Sequence, residues 1–300
     1  MIFTLFAAAA ALQPQTVVTV DPSHRLIEGV ASDGKTIWLS SLIDRQILAC
    51  KKSCKTLATL PDGLHPFAIA WDARRKYLWV AADCPPGVSF IKPCGAGALM
   101  AFDARGKVRA RIGPTVGDFH PGDVSAADGQ VFASDSQNGM VYRLTPNAKA
   151  LMAIVLPGVG KSGQGSAYDK ANNRLIVADY SQGITAIDLA TGIRTLLPRA
   201  NDKPLRGIDG LMRCGNGFVG VYNGQSPGQL VAFTIDQGKL TLREAIEGYE
   251  MPDPTQVATD GKRLLLVPNA GWEAAMTGPG PRSAGAPIIA FPMSAVCPDR

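Results

Sequence analysis

D-G-L-M-R-C-G-N-G-F-V-G-V-Y-N, residues 209–223, is a short strand, a turn and a second strand that ends on polar residues. The same pattern starts at five other places. E-G-V-A-S-D-G-K-T-I-W-L-S-S begins at Glu28, F-A-I-A-W-D-A-R-R-K-Y-L-W-V-A-A-D at Phe67, and G-D-V-S-A-A-D-G-Q-V-F-A-S-D at Gly122. Q-G-S-A-Y-D-K-A-N-N-R-L-I-V-A-D begins at Gln164, and T-Q-V-A-T-D-G-K-R-L-L-L-V-P-N at Thr255. The third residues of the copies are Val30, Ile69, Val124, Ser166, Leu211 and Val257, spaced by 39, 55, 42, 45 and 46. Two further strand-like segments fill the intervals, such as G-M-V-Y-R-L and A-L-M-A-I-V. Four short strands in about 45 residues make one blade of a β-propeller.

Six copies therefore predict an all-β, six-bladed β-propeller. The last copy runs out after A-P-I-I-A-F-P-M, its third strand. T-V-V-T-V, residues 16–20, can supply the missing outer strand and close the ring, which removes the exposed sheet edges. The domain expectation is one propeller over residues 16–300. A β-sandwich with a second domain is the competing architecture, and it does not predict six equal repeats.

Bulk properties agree. The 300 residues are 46% apolar and include 32 glycines and 22 prolines, which suits many turns and short strands. Net charge is only +5, with no basic stripe interleaved with aromatics, so nucleic acid is not an expected partner. The densest basic run, C-K-K-S-C-K at 50–55, reads as a solvated hairpin rather than an anion patch. M-I-F-T-L-F-A-A-A-A-A-L-Q opens the chain with an apolar run too short to span a bilayer. Ala9 and Ala11 suit cleavage before Leu12, so residues 1–11 read as a signal peptide and the protein as periplasmic or secreted. The run lacks the usual Lys or Arg at its start, and a retained anchor or a cytosolic helix compete.

Six cysteines, an even number, fit export. Spacing pairs Cys50 with Cys54 and Cys84 with Cys94, leaving Cys214 for Cys297. No C-x-x-C occurs, which argues against a thiolate zinc site.

A propeller gives equivalent positions a shared address. The residues two before the aligned position are Glu28, Phe67, Gly122, Gln164, Asp209 and Thr255, and all six should ring the channel mouth. Two carboxylates and an amide then face one axis, where like charges are costly unless a cation or proton sits between them. Oxygen-only ligands suit calcium, magnesium or manganese. Each residue also has a plain structural reading: Asp209-Gly210 is a common turn pair, and Glu28 can finish a strand.

The blades E-G-V-A, G-Q-G-S-A-Y-D…I-V-A-D-Y-S-Q-G and G-I-D-G-L resemble the six-bladed regucalcin/gluconolactonase family over essentially the whole mature chain. Paraoxonases are its more distant relatives. The resemblance implies a lactone hydrolase whose divalent cation is held by Glu28, Gln164 and Asp209, with Asp209 also the general base. Calcium is the first candidate, and magnesium, manganese or zinc its competitors. The chain departs from the pattern twice. Gln164 stands where the family has Asn, and Gly122 replaces a substrate-contacting Asn, leaving Asp123 of that pair.

Four other residues are candidates for contact with a small lactone or sugar-derived substrate. His65 and His120, each followed by proline, lie four residues before the aligned position. They can shuttle protons, or simply cap and pack. Tyr222 and Asn223 follow the second strand of the fifth copy, and Asn269 holds the matching place in the sixth. V-G-K-S at 159–162 lacks the first glycine of a phosphate loop, and no G-x-S-x-G elbow is present. Trp38 and Trp79 repeat at equivalent positions and read as blade core. The functional expectation is an exported, monomeric, metal-dependent lactone or ester hydrolase. The alternative is a non-catalytic propeller that binds a small ligand or a protein partner.

Overall fold

Six antiparallel sheets of four strands form, one for each copy of the repeat, in a computed structural model that describes residues 12–114, 117–156, 158–246, 249, 251–282 and 284–297. The expected signal peptide, residues 1–11, lies outside the described residues. Blade one runs Ile27–Ser32, Ile37–Ser41, Gln46–Cys50 and Cys54–Thr59 from the inside outward. The inner strands of blades two to six are His65–Asp72, Pro121–Ala127, Gly163–Asp169, Ile208–Cys214 and Val257–Thr259. Blade six takes its outer strand, Gln15–Val20, from the start of the chain, where it pairs with Ala286–Pro292. The ring closes as expected, with the outer strand one residue longer than the T-V-V-T-V segment.

The aligned residues share one register. Val30, Ile69, Val124, Ser166, Leu211 and Val257 sit opposite Leu39, Val80, Ala133, Val177, Gly220 and Leu266 on their second strands. Apolar faces of neighbouring blades pack in pairs, which is how each sheet buries a surface it cannot bury alone. Cys50, Val30, Leu39, Val18 and Leu265 join blades six and one in such a cluster, so the closing seam has the same construction as the others. Trp38 and Trp79 lie in these clusters, as expected.

All three expected disulfides form: Cys50–Cys54, Cys84–Cys94 and Cys214–Cys297. The first closes the hairpin of the basic run. The second pins the loop inserted in blade two. The third ties the chain after the short helix Met293–Val296 to the inner strand of blade five. Among the described residues no helix is long and apolar enough to cross a membrane.

Asp209-Gly210 is not a turn. Both residues lie inside the inner strand Ile208–Cys214, at a bulge where the register slips between Ile208 and Leu211. Glu28-Gly29 and Gln164-Gly165 lie in matching bulges of blades one and four. The glycines answer to close packing. A Cβ on Gly210 would lie 2.7 Å from Thr255 O, one on Gly165 2.6 Å from Asp209 O, and one on Gly29 2.7 Å from Phe67 O. Gly207, just before the stretch, is left-handed at φ 74°, and its carbonyl accepts from the N–H groups of Asn223 and Gly224. Bulges re-aim side chains, and these lift Glu28, Gln164 and Asp209 toward the channel mouth.

Candidate functional site

Four carboxylates converge at the mouth. Asp209 and Glu28 come from bulged inner strands, Asp123 from the position after Gly122, and Asp253 from the segment that leads into blade six. Burial raises the Glu28 carboxyl well above the usual range, and the charges of Asp209, Asp253 and Asp123 push it the same way. Burial and Asp209 likewise raise Asp123. Asp209 is raised to about 7, chiefly by burial and further by Asp253, against a hydrogen bond that favours its ionised form. Among the described residues none of the four is in an ion pair.

That opposing hydrogen bond comes from Asn223, whose Nδ2 donates to Asp209 Oδ2 at 2.8 Å and to the Pro254 carbonyl at 2.9 Å. These two acceptors fix the orientation of the amide, and its Oδ1 is then buried with no partner. A buried acceptor without a donor costs free energy of about 1–3 kcal/mol. Glu28 is held by Trp272, whose indole N–H donates to Glu28 Oε2 at 2.8 Å. Trp272 opens the short helix Trp272–Thr277, and Asp253 Oδ2 anchors that helix by accepting from the N–H groups of Gly271 and Trp272.

Gln164 bears on the missing Asn of blade three. Its Oε1 lies 3.6 Å from where a Gly122 Cβ would stand. The longer amide of blade four reaches into space that a side chain at Gly122 would fill. Tyr180 flanks the group: burial and the neighbouring charge of Asp209 raise its phenol, with Tyr222 adding to the shift. Tyr222 itself packs over Gly207, since a Cβ there would meet its Cε2 at 3.1 Å.

The two histidines face other partners. His65 is buried, its Nδ1 2.8 Å from the Leu42 carbonyl, and burial lowers its pKa, so the neutral ring donates there. His120 places Nδ1 3.1 Å from Asp83 Oδ2 on the rim between blades two and three. The structure thus brings Glu28, Asp123, Asp209 and Asn223 together, sets Gln164 and Tyr222 beside them, and puts His65 in the wall. Asp253, Trp272 and Tyr180 were not foreseen. They lie off the shared repeat position, although Tyr180 stands in the I-V-A-D-Y-S-Q-G motif.

Among the described residues no three His, Cys, Asp or Glu side chains gather at metal-ligand spacing. An ion here would draw on two carboxylates, Glu28 and Asp209, and on amide oxygens. The unpartnered Asn223 Oδ1 and the all-oxygen donor set fit a hard divalent cation.

No family model and no curated protein matches the chain. Solved structures do resemble it. A gluconolactonase of Xanthomonas campestris aligns over 96% of this chain and 93% of its own, with TM-score 0.61 and 17% identity. A putative gluconolactonase aligns over 95% and 93%, with TM-score 0.63 and 12% identity. The WD40 β-propeller domain of Doa1 aligns over 94% and 98%, with TM-score 0.56 and 10% identity. At these identities the likeness establishes the propeller and nothing finer.

Proposed function

We propose that the chain is an exported, metal-dependent hydrolase of a lactone or related ester, working at the channel mouth. The observation that carries this reading is the Asp209–Asn223 pair: a carboxyl held near neutrality beside a buried amide oxygen with no partner. The three disulfides agree with an oxidising, extracellular setting.

Glu28, Asp209, Asn223 and Gln164 would hold the cation, with calcium first and magnesium, manganese or zinc as competitors. Bound there, a divalent ion supplies charge that polarises the lactone carbonyl. Asp209 takes a proton from water as the water oxygen bonds to the carbonyl carbon. Collapse breaks the bond between that carbon and the ring oxygen, and the same proton passes to the departing oxygen. Asn223 orients the Asp209 carboxylate, and Trp272 orients Glu28. His120 lies on the rim, where it can assist the leaving oxygen.

Acid release from a panel of lactones, with and without chelator, tests this reading. Turnover that chelator abolishes and calcium restores is expected. Absence of turnover on every lactone while a cation still binds favours the second reading, a non-catalytic propeller. The raised Glu28 and Asp123 carboxyls favour that alternative, since protonated acids can donate to a neutral ligand with no cation present.

A further inference from the structure

The channel has a second opening. The inner strands run past the acidic mouth toward the opposite face of the ring, and a cavity of about 260 Å³ opens there. Ile69, Val124, Leu211 and Val257 are among its walls. Two residues further along each inner strand, its rim is Ser32, Trp71, Ala126, Tyr168, Arg213 and Thr259. Asp123 and Gln256 close its inner end. Gln256 Oε1 accepts from Val30 N at 2.7 Å and from Ile69 N at 3.4 Å, so this amide bridges blades six, one and two. Glu28, Gln164 and Asp209 do not line the cavity, which is a compartment apart from the mouth. From Asp123 to Ala126 the strand rise gives it a depth of about 10 Å.

The wall hydroxyls are already engaged. Ser125 Oγ and Ser166 Oγ lie 2.7 Å apart. Ser32 Oγ donates to the Thr36 carbonyl at 2.8 Å, and Thr259 Oγ1 to the Arg263 carbonyl at 3.1 Å. A polyol in this cavity would leave hydroxyls unpaired, which is costly. An alkyl or aryl body would instead release water from Ile69, Val124, Leu211 and Val257.

Arg213 brings charge to the rim. Its Nη1 donates to Asp169 Oδ1 at 2.7 Å, and Arg174 Nε donates to Oδ2 of the same carboxylate at 2.9 Å. One carboxylate thus answers two guanidiniums, and a positive charge is left over. The Arg213 Cζ lies 5.3 Å from the centroid of the Phe218 ring, which steadies the guanidinium. Among the described residues its Nε and Nη2 have no protein acceptor, and a guanidinium edge offers a carboxylate two parallel N–H groups. Tyr168 and Trp71, the latter stacked on Trp38 at 4.8 Å between ring centroids, are partly exposed on the same rim and add neutral donors.

We infer that the far end of the channel is a second binding site, for a small monocarboxylate whose carboxylate meets Arg213 and whose alkyl or aryl body fills the cavity. The inference does not rest on the hydrolase reading.

Calorimetric titration of the full chain with hexanoate, and with hexanamide as its uncharged analogue, tests it. Hexanoate should bind one to one and at least about tenfold more tightly than hexanamide, the difference that a charge-assisted pair supplies. Arg213→Gln should remove that preference and Arg213→Lys should keep part of it, each variant first shown to melt cooperatively. Chelator and Asp209→Ala should leave hexanoate binding unchanged. Absence of hexanoate binding overturns the inference, as does equal affinity for hexanamide or a preference that survives Arg213→Gln. Hexanoate binding that Asp209→Ala abolishes belongs to the acidic mouth and overturns it as well.

Discussion

Asn223 Nδ2 stands 2.8 Å from Asp209 Oδ2, while its own Oδ1 is buried and unpartnered. One side chain thus holds the central carboxylate and keeps a buried acceptor unused. Asn223→Ala removes both. We expect stability to fall by about 1–3 kcal/mol from lost buried hydrogen bonds. Cation affinity should fall by about 10–100-fold, as it does when a supporting shell is cut away. Urea melts and calorimetric titration read the two effects separately.

Stability should fall with rising pH in chelator. Asp209 has its pKa raised from 3.8 to about 7 in the folded chain. Between those values the folded chain holds a proton that the unfolded chain has released. The unfolded state then binds fewer protons, so stability declines as pH climbs through this window and levels off above it. Glu28 and Asp123 act in the same direction. Calcium should flatten the decline by satisfying the ionised carboxylates. Urea midpoints at pH 5 and pH 8, with and without calcium, measure it. A midpoint that rises with pH in chelator contradicts the electrostatics described.

Gly210→Ala should be harmful although its backbone is ordinary. The new methyl lands 2.7 Å from Thr255 O, in the segment that leads into the next blade. Overpacking of this kind costs about 1–3 kcal/mol. Because the Gly210 N–H also donates to Thr255 O at 3.0 Å, the shift should disturb the Asp209 position as well. A thermal melt together with cation titration checks both, and an unchanged melt would refute the close-packing account of the site glycines.

The disulfides should differ in weight. Cys214–Cys297 spans 83 residues and Cys50–Cys54 only 4. On the chain-entropy account a loop of the longer kind is worth about 4 kcal/mol. Serine replacement of the Cys214–Cys297 pair should therefore lower the melting temperature far more than replacement of the Cys50–Cys54 pair.

The ring of blades was legible because repeat spacing survives in the sequence even when strand boundaries blur. Val30, Ile69, Val124, Ser166, Leu211 and Val257 hold the same place in each copy, and all six share one register. The local meaning of Asp209-Gly210 was not legible. A glycine after an aspartate normally signals positive φ, but here the pressure comes from Thr255, 45 residues on, across a blade boundary. Asn223 was visible as a strand-end residue. Its hold on Asp209 depends on the bulge that sets Ile208 opposite Tyr222, which a linear pattern does not reveal. Asp253 and Trp272 escaped notice because they act through a helix inserted in one blade, where no repeat exists to compare.

Asp209 and its neighbours are proposed to hold a divalent cation. The most direct measurement is the melting temperature of wild type and Asp209→Ala in chelator and in calcium. At about a hundredfold excess over the dissociation constant, wild type should gain about 2.7 kcal/mol, or roughly 5 °C, and Asp209→Ala should gain almost nothing. Equal melting temperatures for wild type in chelator and in each of calcium, magnesium, manganese and zinc would contradict the claim.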